Sequence, residues 1–135
     1  MVFLTEEETI RFAADFTRKL KPRDVVLLRG DLGAGKSVFA RSVIRALSDN
    51  PELEVPSPTF TLVQTYDTSG GEVWHFDLYR LKDADEIFEL GWEDALAGGI
   101  VLVEWPERLG PYVPENAREV NITIQTDGAR EVEIR

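Results

Sequence analysis

Apolar positions along the chain fall into two kinds of pattern. Ile10, Phe12, Ala13, Phe16 and Leu20 recur at helical spacing behind Thr5-Glu6-Glu7-Glu8. That tetrad has the form of a capping box, with Thr5 at the N-cap and Glu8 three residues on. It predicts a first helix ended by Lys21 and Pro22. Val25-Val26-Leu27-Leu28 and Ile100-Val101-Leu102-Val103 are instead continuous apolar runs, as expected of strands covered on both faces. A glycine-rich turn follows the first run and leads into a second helix over residues 37–47, closed by Asp49-Asn50-Pro51.

Ser57-Pro58-Thr59 reads as a loop, because each proline restricts the residue before it. Residues 60–66 and 72–77 read as two strands of a hairpin around residues 67–71. Residues 83–90 look helical and end at Gly91. Residues 121–125 and 131–134 form a last hairpin around Asp127-Gly128. There is no repeat, low-complexity tract or interdomain linker, and 135 residues suit a single domain over 1–135. The expected architecture is α/β: a mixed, mainly parallel central sheet extended by antiparallel hairpins, with the glycine turn and the Ile100 segment on parallel strands.

Composition narrows the function. The formal net charge is -10, so the chain repels phosphate backbones and tight autonomous binding of nucleic acid is not expected. There is no cysteine, which removes disulfides and thiolate metal sites and suits a reducing compartment. The N-terminus has neither the basic start nor the apolar run of a signal peptide, and no stretch approaches membrane-spanning length. A soluble, cytoplasmic protein is the expectation.

Gly30-Asp31-Leu32-Gly33-Ala34-Gly35-Lys36-Ser37 matches the Walker A pattern in full. Glycines let such a loop fold round phosphate with its N–H groups inward, and the following helix presents its positive end. The Lys36 ammonium suits the β- and γ-phosphates, and the Ser37 hydroxyl suits Mg²⁺. Asp31, Leu32, Gly33, Ala34, Gly35, Lys36 and Ser37 are thus the candidate nucleotide-binding residues of a P-loop NTPase. A structural reading, a glycine turn beside a surface lysine, is weakened by the apolar strand before the loop and the helix after it.

Such an ATPase also needs an acid at a strand end for the metal shell and a group to orient the attacking water. Asp77, after Val73-Trp74-His75-Phe76, and Glu104, after the Ile100 run, both fit, and the pattern does not say which acid takes which role. Either is alternatively a solvated acid closing a strand. His75, the single histidine, reads from periodicity as half-buried and structural. Arg80 suits phosphate or the 83–90 helix. The guanine-reading Asn-Lys-x-Asp motif and the arginine-rich lid of nucleotide kinases are both missing.

Four motifs then occur in one order: the Walker A loop, Ser-Pro-Thr-Phe-Thr-Leu at 57–62, His-Phe-Asp-Leu-Tyr-Arg at 75–80 and Val-Glu-Trp at 103–105. The set resembles the bacterial TsaE (YjeE) family over essentially the whole chain. Ser37 stands where the family often has Thr, with the hydroxyl kept, and the chain stops soon after the last strand, without a longer tail. The resemblance implies a weak, partner-stimulated ATPase that uses ATP and Mg²⁺. It would work with TsaD-like and TsaB-like subunits in threonylcarbamoylation of adenosine beside the anticodon of tRNAs reading ANN codons, meeting tRNA only through that complex. It implies that Thr59 senses the γ-phosphate in a switch-like loop and that Asp77 is the Walker B acid. Glu104 would be a second acid near the metal or the water, and Trp105 would lie beside the site. Glu6 and, more distantly, Arg130 would touch the nucleotide, and His75 joins the functional candidates. The competing readings are a small-molecule phosphotransferase on the same loop and a nucleotide-binding scaffold without hydrolysis.

Overall fold

The computed structural model describes residues 2–3, 5–31 and 33–135. Its sheet is built outward from two buried strands. Strand β2 (Val25–Arg29) and strand β5 (Ile100–Glu104) lie side by side and parallel, with Leu28 opposite Glu104. β6 (Arg118–Ile124) flanks β2 in parallel, and β4 (Gly71–Asp77) flanks β5 in parallel. Antiparallel strands complete both sides: β3 (Val63–Thr68) on β4, then β7 (Arg130–Ile134) on β6 and β1 (Val2–Phe3) on β7. The order is β1-β7-β6-β2-β5-β4-β3, the mixed α/β sheet expected, with its parallel strands in the centre.

Alternation along the strands splits the core into two layers. Val26, Leu28, Ile100 and Leu102 face α1 (Glu6–Thr17) and α2 (Lys36–Leu47). Val25, Leu27, Val101 and Val103 face the other side, covered by a 3₁₀ segment (Ala84–Leu90), α3 (Trp92–Gly98) and a second 3₁₀ segment (Pro106–Tyr112). Between α1 and α2 the rings of Phe16 and Phe39 meet at 5.7 Å and that of Phe12 lies 6.1 Å from Phe39. Each fully buried aromatic or aliphatic side chain contributes roughly 1.5–3 kcal/mol, so the helix pair is fixed on the sheet by this cluster.

The predicted cap is present: the Glu8 amide donates to Thr5 Oγ1 at 3.2 Å. Several expectations shift. α1 ends at Thr17 rather than at Lys21-Pro22, and Ile10 is exposed while Thr9 takes the inward position. Residues 60–62 stay in the loop, because Leu62 adopts a positive φ of 69° and its carbonyl accepts from the Asp77 amide before pairing begins at Val63. Residues 84–90 are 3₁₀, capped by the Asp83 side chain. β6 starts earlier than its hairpin pattern suggested, because it is also the parallel neighbour of β2. β1, α3 and the Pro106 segment carried no periodic signal of their own. Among the described residues, no helix is long and apolar enough to cross a membrane.

Candidate functional site

At the C-terminal end of β2 the chain turns through the glycine loop into α2. Gly30 is required there by packing: a Cβ on it would collide with the Ile122 carbonyl of β6. Gly35 stands at the N-cap of α2 with φ 107°, and no side chain caps the helix. Within the loop the Ala34 amide donates to the Asp31 carbonyl at 3.0 Å. The first N–H groups of α2 thus emerge beside the loop, where helix ends attract anions.

The helix brings its first two side chains over the tips of β5 and β4. Ser37 Oγ donates to Glu104 Oε1 at 3.1 Å. The other Glu104 oxygen, Oε2, lies 2.7 Å from His75 Nε2. Asp77, paired in register with Glu104, accepts from Thr59 Oγ1 at 3.2 Å and, on its second oxygen, from the Tyr79 amide at 3.1 Å. Thr59 Oγ1 is also 2.7 Å from Ser57 Oγ. Lys36 Nζ donates to the Gly30 carbonyl at 2.6 Å and sits 3.3 Å from the centroid of the Trp105 ring. Trp105 holds this place from a left-handed backbone conformation, φ 58° and ψ 53°, that turns the chain out of β5. Its ring packs on Tyr79 at 5.0 Å.

Burial marks the cluster as unusual. Among the described residues the buried ionisable side chains are Lys36 (5% exposed), His75 (2%), Asp77 (5%) and Glu104 (2%), and all four meet here. Buried charge is costly unless paired, and such groups collect where chemistry needs them. Desolvation pushes the Lys36 ammonium below the ordinary lysine value, opposed by Glu104, Glu107, Asp77 and Asp31.

On the far side of Gly35 a cleft of about 170 Å³ opens between the start of α1, the loop and the last hairpin. Thr5, Glu6, Ala34, Gly35 and Arg130 line it. Arg130 Nη1 donates to the Gly128 carbonyl at 2.7 Å, and its Nε lies 3.7 Å from where a Gly35 Cβ would stand. Glu6 is exposed.

The candidates therefore gather in two groups. Lys36, Ser37, Thr59, Asp77 and Glu104 meet at the strand tips, and Glu6, Ala34, Gly35 and Arg130 meet in the cleft. Asp31 and Gly33 are exposed on the loop between them. Leu32 lies outside the described residues. His75 is buried, not half-buried, and its bond to Glu104 was not foreseen. The available signal was period two: His75 and Asp77 share one strand face, the face that α2 covers.

The chain matches the family model described as threonylcarbamoyl adenosine biosynthesis protein TsaE over residues 3–132. It belongs to the TsaE family. It is 43% identical over 130 residues to the tRNA threonylcarbamoyladenosine biosynthesis protein TsaE of Rickettsia felis, covering 96% of this chain and 75% of that one. The protein of the same description from Aquifex aeolicus is 38% identical over 130 residues, covering 90% of this chain and 93% of its own. Among solved structures, Bacillus subtilis YdiB superposes with a TM-score of 0.74 at 29% identity, covering 98% of this chain and 80% of that one. The resemblance drawn from the four motifs is thus the family to which the chain belongs. The TsaE-family fold places those motifs around one end of the sheet.

Proposed function

We propose that this TsaE-family chain is a magnesium-dependent ATP-binding protein and weak ATPase. It supports a TsaD-like and TsaB-like complex in threonylcarbamoylation of adenosine beside the anticodon of tRNAs reading ANN codons. The observation that carries the ATPase reading is the meeting of the buried Lys36, Glu104 and Asp77 with Ser37 at the mouth of a glycine loop that opens a helix. The donors there are a hydroxyl and carboxylates, hard oxygen ligands that fit Mg²⁺.

In this reading the loop amides and the start of α2 bind the phosphates. Lys36 exchanges the Gly30 carbonyl and the Trp105 face for the β- and γ-phosphates. Ser37 and Glu104, already joined, would hold the metal, and a bound Mg²⁺ would supply neutralising charge at the phosphates. Asp77, which the motif resemblance casts as the Walker B acid, is joined to Thr59, whereas Ser37 is joined to Glu104, so in this reading Asp77 orients the attacking water. The Glu6–Arg130 cleft takes the rest of the nucleotide. The test is release of phosphate from ATP with and without the partner subunits, with Mg²⁺ present or chelated. Metal-dependent phosphate release that rises with partners supports the reading. Transfer of phosphate to a small molecule instead would make the chain a kinase.

The partner surface follows from charge and position. An acidic chain gains little from tRNA phosphates, so protein contacts near the nucleotide carry the docking. Phe60 is 78% exposed, with the Arg80 guanidinium 4.3 Å over its ring, and the Thr59 and Asp77 beside them respond to the γ-phosphate. Partner affinity is expected to differ between an ATP analogue, ADP and no nucleotide. Equal affinity in all three states, or tight binding of tRNA by the isolated chain at physiological salt, would refute this surface.

A further inference from the structure

The proposed metal acid, Glu104, is held from two sides, and only one of its partners belongs to the nucleotide loop. Its Oε1 faces Ser37 Oγ, and its Oε2 faces His75 Nε2. Side chains in register on neighbouring parallel strands point to the same face. Asp77 is opposite Glu104 and His75 is opposite Leu102, so His75 reaches Glu104 diagonally across β4 and β5. Both groups are 2% exposed. The Nδ1 of His75 is buried and has no hydrogen-bond partner among the described residues. A ring hydrogen is therefore assigned to Nε2, where it is donated to the carboxylate. Among the described residues no hydrogen bond joins His75 to Ser37, Lys36 or Asp77.

We infer that His75 is a positioning residue for Glu104. A free carboxylate on a strand end rotates about its last torsion, which is broad. The Nε2–H bond takes up Oε2 and fixes the plane of the group, so that Oε1 is presented to the Ser37 hydroxyl. The same bond satisfies the inward oxygen of a buried carboxylate, which would otherwise be left unpaired at a cost. The inference rests on the ATPase reading, because it takes Glu104 and Ser37 as the place where a divalent cation with its nucleotide is held. His75 itself touches neither. Outer partners that orient a metal-holding side chain commonly change metal affinity by about 10–100-fold when removed.

The test compares His75→Asn with His75→Gln. Glutamine carries an N–H group near the position of Nε2, whereas asparagine is too short to reach Glu104. Each variant is titrated with Mn²⁺ in the presence of ADP, following free Mn²⁺ by electron paramagnetic resonance, and melted to confirm folding. His75→Asn is expected to weaken Mn²⁺–ADP binding about tenfold, with His75→Gln closer to wild type than to His75→Asn. In a Glu104→Gln background the same His75→Asn change is expected to have no further effect on Mn²⁺ affinity. Equal metal affinity in wild type and His75→Asn, or an undiminished effect of His75→Asn beside Glu104→Gln, overturns the positioning role. A lowered melting temperature alone, with metal affinity kept, assigns His75 to the core and likewise overturns it. Failure of the wild-type chain to bind Mn²⁺–ADP would overturn the ATPase reading and this inference together. Wild-type binding with an indifferent His75→Asn would leave the ATPase reading standing and remove the inference alone.

Discussion

Around Lys36 and Glu104 the ionisable side chains are buried, whereas those lining the cleft across Gly35, Glu6 and Arg130, are exposed and half-buried. Ser37, Glu104 and His75 form one hydrogen-bonded chain and Ser57, Thr59 and Asp77 another. Glu6 is exposed, and among the described residues the Arg130 side chain bonds the Gly128 carbonyl. A preorganised cluster acts most strongly where charge develops, because it needs no rearrangement at that moment. An open cleft with solvated side chains contributes to holding a ligand, with little leverage on a transition state. On the proposed ATPase reading, turnover is expected to depend on the strand-tip acids and only a small share of nucleotide affinity on the cleft, and each half can be attacked separately.

The largest effect is expected from Glu104→Ala. Removing one preorganised group of this kind costs about 10²–10³-fold in turnover, so phosphate release by the assembled complex should fall by that order while ATP binding changes far less. Normal hydrolysis would reduce Glu104 to a solvating strand-end acid. Next comes Lys36→Ala, which deletes charge-assisted bonds worth roughly 1.5–3 kcal/mol. ATP affinity should drop by about tenfold or more, as read by titration. Unchanged binding together with unchanged hydrolysis would end the phosphate-loop assignment.

Two smaller effects define the cleft. Thr5→Ala removes the N-cap of α1 and should cost about 1 kcal/mol of folding stability, measured by urea unfolding, with kcat intact. No loss would mean that Thr5 caps the helix only nominally. Arg130→Ala removes a half-buried charge whose contribution should be about 0.2–1 kcal/mol, as for an exposed ion pair. ATP affinity should weaken by less than about fivefold at unchanged turnover. A large loss of kcat in Arg130→Ala would erase the distinction between the two regions, since the cleft would then share in the chemistry.

Legibility in the sequence followed locality. The glycine loop, the capped first helix and the two continuous apolar strands are each written within a few consecutive residues, and each is present in the fold. The 3₁₀ character of residues 84–90, the short α3 and the two-residue β1 had no such signal. Segments that short owe their form to what they pack against, not to propensity. Within the site, residue types and loop chemistry were readable, but the pairing was not. The two acids looked equivalent at their strand ends, yet Glu104 meets Ser37 and Asp77 meets Thr59.

The sequence by itself determined what depends on neighbours along the chain. The Thr5 cap is a bond across three residues, the burial of Val25 to Leu28 follows from an unbroken apolar run, and the left-handed Gly35 is where a loop can enter α2. The tertiary structure alone decided what depends on strand order. Placing β5 between β2 and β4 brings Glu104 to Ser37, 67 residues away, and to His75, 29 residues away. Placing β6 beside β2 sets the Ile122 carbonyl against Gly30, and pairing β7 with β6 carries Arg130 over to Gly35. The reason is physical: periodicity and caps are short-range and leave their mark in any window of sequence. A choice among strand neighbours is settled only when the whole sheet closes and each buried polar atom finds, or fails to find, a partner.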